Sequence, residues 1–192
     1  MDRSENKIYL DCRWKFRAHR ASIVHDDDNF LIIDWRNANG SSDYYVNYII
    51  DKRRGMLAVS GDLGNSIAVW GNEIKPEKLK EWIYNDPGYY ASKIKCSSNL
   101  YYYDEQEIID ELKAEGMGSW ADEDTYLFWE RVKEEVQNSI HKDELIPTKE
   151  LIQMIEERCE RDSIWLGSLK KLSKNIYLWA VGFKMACDRL GI

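Results

Sequence analysis

The chain has 192 residues, 44% hydrophobic and 32% charged, with only three prolines, which places it among globular proteins and excludes disordered and collagen-like ones. At this length a core can cover about two-thirds of the unfolded surface, so neither disulfides nor a structural metal is required. Twenty-seven basic against thirty-four acidic side chains leave −7, a balance that argues against direct nucleic-acid binding and for either no charged partner or a basic one.

Residues 6 to 70 read as strands. In IYLDCRWKFRAHRASIV, Trp14, Phe16 and Ala18 alternate with Arg13, Lys15 and Arg17, the period of a half-buried strand. HDDDN at 25 to 29 is a turn before FLIIDW at 30 to 35, and NANGSSD at 37 to 43 is a second turn. YYVNYIID at 44 to 51, KRRG at 52 to 55 and MLAVSG at 56 to 61 make a further hairpin. About four antiparallel strands from consecutive hairpins form a meander.

From about residue 73 the period changes from 2 to 3.6. KPEKLKEWIYN at 75 to 85 is a short amphipathic helix opened by Pro76, with Leu79, Trp82 and Ile83 on one stripe. A helical turn at 88 to 96 and an extended piece at 100 to 103 follow. DEQEIIDELKAEG is a helix closed by Gly116. Ser119 and Asp122 have capping-box spacing before a longer helix over 120 to 140, with Trp129, Val132, Val136 and Ile140 inward. Pro147 and Thr148 open another helix carrying Leu151, Ile152, Ile155 and Cys159 inward. The last segment, NIYLWAVGFKMACDRL, is apolar nearly all round, so it belongs at the centre of the protein.

These elements predict one α+β domain over residues 1–192, with a sheet half (1–72) packed against a helical half (73–192). No linker or repeat interrupts it. No apolar run reaches the roughly 18 residues of a membrane span, and the first residues lack a signal-peptide core, so the expected location is the cytoplasm. Cys12, Cys96, Cys159 and Cys187 are scattered and read as reduced, mostly buried thiols. Neither they nor His19, His25 and His141 have metal-ligand spacing.

Acidity is concentrated. Residues 104–160 hold six basic and eighteen acidic side chains, whereas residues 1–72 hold ten of each. One reading is that these are only the solvated faces of helices, since Glu is a strong helix former. The sharper reading is a surface that imitates phosphate and competes for Lys/Arg grooves. Glu111, Glu115, Glu130, Glu134 and Glu135 would carry it, with Tyr101, Tyr102 and Tyr103 as interface anchors.

Other candidate chemistry is thinner. Asp26, Asp27 and Asp28 beside His25 offer oxygen ligands for a divalent cation, and a metal-dependent nuclease is the enzyme class that would use them. Adjacent strand residues point to opposite faces, however, and Asp-Asp-Asp-Asn is ordinary turn chemistry. SGDLGNS at 60 to 66 lacks the endings of a phosphate loop and reads as a tight turn. No hydrolase constellation surrounds Ser60 or Ser66, so no cofactor, metal or catalytic residue is expected.

Three blocks, SGDLGNSIAVW (60 to 70), GYYASKIKCSS (88 to 98) and NIYLWAVGFKMACDRL (175 to 190), resemble small proteins of phages and mobile elements of Gram-positive bacteria that are similar to anti-CRISPR inhibitors of type II-A Cas9. The resemblance implies a non-enzymatic protein that binds Cas9 or its guide-RNA complex and blocks loading, DNA recognition or cleavage. Cas9 holds nucleic acid in basic channels, so an acidic helical inhibitor has a matching target. The alternatives are the metal-dependent nuclease and a phage accessory protein without activity.

Overall fold

The computed structural model describes residues 3–97, 100–115, 117, 125–141, 144–158 and 163–192. It is α+β, as the sequence predicts, and its sheet has six antiparallel strands rather than four. The chain divides into two compact units. The first joins residues 1–100 to 173–192, and the second comprises 101–172. This division differs from the sheet and helical halves drawn at residue 72, because the last helix belongs with the sheet.

The first unit opens with α1 (Arg3–Lys15), where the sequence reading placed a strand. The correction has a plain cause. Tyr9, Cys12 and Phe16 recur at helical spacing and all three are buried, while Trp14 and Ala18, assigned to the same buried face, are exposed. The strands are β1 (His19–Asp26), β2 (Phe30–Asn37), β3 (Val46–Asp51), β4 (Met56–Gly61), β5 (Ser66–Val69) and β6 (Ile94–Ser97), each hydrogen-bonded to the next in chain order. The turns at 27–29, 52–55 and 62–65 fall where the Asp, Gly and Asn clusters predict. Gly55 has φ +61°, and a Cβ there would collide with the Asn72 carbonyl.

Register sets one buried face. Ile33 pairs with Tyr48 and Tyr48 with Val59, while Leu31 pairs with Ile50 and Ile50 with Leu57. All six are 2% exposed or less. Helix α2 (Pro76–Asn85) buries Leu79 and Ile83, whereas Trp82, expected on the same stripe, is exposed. Asp86 caps α3 (Pro87–Lys93) by accepting the Tyr89 amide.

In the second unit β7 (Tyr101–Tyr102) precedes α4 (Glu105–Ala114) and α5 (Thr125–Ser139). The short strands β8 (Ile140–His141) and β9 (Glu144–Leu145) then lead to α6 (Lys149–Arg158), a 3-10 helix at Ser163–Leu169, and β10 (Lys171–Leu172). Strand β10 pairs with β7, so the chain enters and leaves this unit through one short ladder. Ile108, Leu112, Val132, Val136, Leu151 and Ile155 form its core. Ile140, expected inward on a helix, is half-buried in β8. Gly116, the Ser119–Asp122 pair and Cys159 lie outside the described residues.

Helix α7 (Lys174–Leu190) returns to the first unit and packs against α1, α2 and the sheet. Ten of its residues, among them Trp179 and Phe183, are buried, as its all-round apolarity predicts. Ser173 caps its start and left-handed Gly191 its end.

Candidate functional site

The acidic character sorts cleanly by unit. Residues 101–172 hold nine basic and nineteen acidic side chains, while 1–100 with 173–192 hold eighteen and fifteen. The second unit is therefore −10 and the first +3.

Two helices present the predicted carboxylates. Asp104 caps α4 by accepting the Glu107 amide at 3.2 Å, and burial of Ile108, Ile109 and Leu112 turns Glu111 to solvent. On α5, Val132 and Val136 are buried, which leaves Glu130 and Glu134 exposed one turn apart. Among the described residues, the side chains of Glu111, Glu130 and Glu134 have no ion-pair or hydrogen-bond partner. A shallow open groove on α5 is lined by Glu130 and Glu134 together with Leu127, Arg131, Lys133 and Gln137. Its two carboxylates are matched by two cations, so the acidity belongs to the unit as a whole and not to this groove.

The other predicted residues have internal roles. The Glu135 carboxylate accepts the Thr148 hydroxyl at 2.6 Å, and Thr148 Oγ1 accepts the Leu151 amide at 3.1 Å, so Glu135 orients the cap of α6. Glu115 is half-buried at the end of α4, its amide held by the Glu111 and Lys113 carbonyls. The tyrosines are not one exposed run. Tyr101 is half-buried with Lys170 Nζ 4.6 Å from its ring centre, Tyr102 is exposed, and the Tyr103 hydroxyl donates to the Gly167 carbonyl at 3.4 Å. Burial, aided by Glu144, raises the Tyr103 phenol above its ordinary pKa.

Of the three aspartates considered for a cation, Asp26 and Asp27 are engaged elsewhere, while exposed Asp28 has no side-chain partner among the described residues. Asp27 Oδ1 accepts the Asn29 and Phe30 amides at 2.7 Å each, and Oδ2 lies 2.9 Å from His25 Nε2. The Phe30 amide first, then His25, pull the Asp27 pKa down to about 2. Asp26 pairs with Lys52 at 2.6 Å, Asp34 with Arg36 at 2.7 Å, and Asp62 accepts the Tyr44 amide at 2.9 Å. Among the described residues, no three His, Cys, Asp or Glu side chains are grouped as metal ligands, and no helix is long and apolar enough to cross a membrane. Cys12 and Cys187 are buried free thiols, pushed by burial to pKa values of about 11 and 12, while Cys96 is exposed.

One charged region escaped the sequence reading. The run Arg13-Trp14-Lys15-Phe16-Arg17-Ala18-His19-Arg20 contains four cations and no acid, a signal hidden by summing residues 1–72 as one segment, in which ten acids cancel ten bases. Scans of the chain against protein-family models, curated proteins and solved structures return no match.

Proposed function

We propose that this is a non-enzymatic binding protein whose acidic helical unit occupies a basic nucleic-acid groove on a partner protein. The observation that carries the reading is the −10 balance of residues 101–172, with Glu111, Glu130 and Glu134 exposed and unpaired among the described residues. Carboxylates presented in this way compete for arginine and lysine side chains that otherwise neutralise phosphates. The resemblance to anti-CRISPR proteins names Cas9 as the partner and the cytoplasm of a bacterial host as the place of action.

The test is a pull-down of Cas9 by this protein, with and without guide RNA, followed by a DNA cleavage assay. Capture together with loss of cleavage supports the reading. Absence of capture in both arms removes Cas9 as the partner. The nuclease alternative predicts DNA degradation with magnesium or manganese that Asp27→Ala abolishes, and the engagement of Asp27 in its own turn favours the binding reading over it.

A further inference from the structure

The first unit carries a surface of opposite character. We propose that the junction of α1 and β1 is a binding site for single-stranded nucleic acid, with cations for the phosphates and an exposed indole for a base.

The fold gathers this surface from four places at one end of the sheet. Helix α1 ends in Trp14 and Lys15, β1 begins at His19, β2 ends at Asn37, and Tyr44 and Tyr45 lead into β3. Arg17 Cζ stands 4.0 Å from the Trp14 ring centre, and the Arg189 guanidinium donates to the Arg17 carbonyl at 3.3 Å. Lys15 Nζ lies over the Tyr44 ring at 4.3 Å. Arg20 and Arg36 are cross-strand partners, and Arg36 stacks on Tyr45 at 4.7 Å. Each aromatic ring is thus already flanked by a cation, the arrangement that binds a stacked base beside its phosphate.

Accessibility and pairing favour a ligand. Trp14 is 66% exposed, unusual for the largest apolar side chain of a folded unit. Arg17, Arg20 and Arg189 are exposed, and among the described residues none has a carboxylate partner. Asp34 neutralises Arg36 alone, and Asp62 is committed to the Tyr44 amide. Asp43 is exposed nearby in sequence and reduces the field without cancelling it. The loop holding the tyrosines is fixed by its contacts, since Tyr44 keeps φ at +55° while its carbonyl meets His19 Nε2 at 3.2 Å. The overall −7 does not oppose the site, because it is the sum of a positive unit and a strongly negative one.

A single strand fits better than an acidic protein, because bases offer π faces to Trp14 and Tyr45 whereas Asp and Glu offer none. The experiment is fluorescence anisotropy with labelled dT20 and rU20, which separate DNA from RNA, at about 50 and 200 mM salt. Neutralising about four phosphates predicts a log–log salt slope near −3, so binding should weaken by well over tenfold across that range. Trp14→Ala should weaken binding about tenfold at an unchanged slope, and Arg20→Ala should lower the slope by about 0.7. Both side chains are exposed, and circular dichroism checks that the variants fold. Absence of binding at 50 mM salt would overturn the proposal. So would binding that Trp14→Ala leaves intact and that polyglutamate displaces as well as unlabelled dT20 does, which would assign the surface to an acidic protein.

Discussion

Tyr48 donates its hydroxyl to the carbonyl of Trp179 at 3.0 Å, joining the middle of the sheet to the middle of the last helix across 131 residues of sequence. Both side chains are fully buried, and burial lifts the Tyr48 phenol well above its ordinary pKa, so it stays a neutral donor. This bond marks where the first and last parts of the chain become one core. Trp179→Ala should cost about 3–5 kcal/mol, and Tyr48→Phe about 1 kcal/mol. Chemical denaturation checks both, and a Trp179→Ala protein with unchanged stability would contradict the placement of α7.

Gly182 predicts a reversal of the usual helix rule. In an exposed helix interior, Gly→Ala stabilises by about 1 kcal/mol. Here an added Cβ would fall 3.2 Å from two ring carbons of Phe16 and closer still to the Tyr48 hydroxyl. Gly182→Ala should therefore destabilise by about 1–3 kcal/mol, as overpacked cores do. An increase in melting temperature would show that the ring and hydroxyl move away at little cost.

His19 should make stability pH-dependent. Its ring is 1% exposed, edge-on to Phe16 and 5.4 Å from the Trp35 ring centre. Burial, with Arg189 adding to it, depresses its pKa below the ordinary value of about 6.5. The unfolded chain then binds the proton more readily than the folded one. Stability is complete above about pH 6.5 and falls as the pH drops through that value toward the folded pKa. Melting temperatures at pH 7.5 and 5.5 should differ more for the wild type than for His19→Leu, and equal differences would exclude His19 as the cause.

Thr148→Ala should loosen α6 by about 1–2 kcal/mol, because it removes the acceptor for the Leu151 amide and the donor to Glu135 together. Glu135→Gln, which keeps an acceptor oxygen, should cost less. A Glu135→Gln loss as large as that of Thr148→Ala would mean that the ion, and not the hydrogen bond, holds the cap.

How far the sequence was legible follows from which signals were local. Turns written in Asp, Asn and Gly placed the end of β1 and the strands β2 to β4 closely, and the apolar periodicity of α7 identified the central helix. Helix α1 was misread because Trp14, Phe16 and Ala18 imitate strand alternation, although only Phe16 is buried. Strand β6 was hidden because its four residues follow directly on α3, and β5 meets it only after α2 and α3 have intervened. The boundary between the units carries no Gly- or Ser-rich linker. It is a strand pair, Lys171 with Tyr102 and Leu172 with Tyr101, that no local pattern reveals. For the acidic site, Glu111, Glu130 and Glu134 were readable from helical phase, whereas the roles of Glu135 and Tyr103 depend on Thr148 and Gly167, which are distant in sequence.

If the exposed carboxylates of residues 101–172 bind a basic groove, they set the affinity for the partner. The most direct test is the affinity of Cas9, loaded and unloaded, for the wild type and for the triple variant Glu111→Lys, Glu130→Lys, Glu134→Lys, at about 0.1 and 0.5 M salt. Exposed charges contribute little to stability, so the variant should fold like the wild type. The triple reversal should weaken binding by more than about tenfold, and higher salt, which shortens the screening length to about 4 Å, should do so too through slower association. Tight binding that survives both the triple reversal and high salt would contradict this role of the carboxylates.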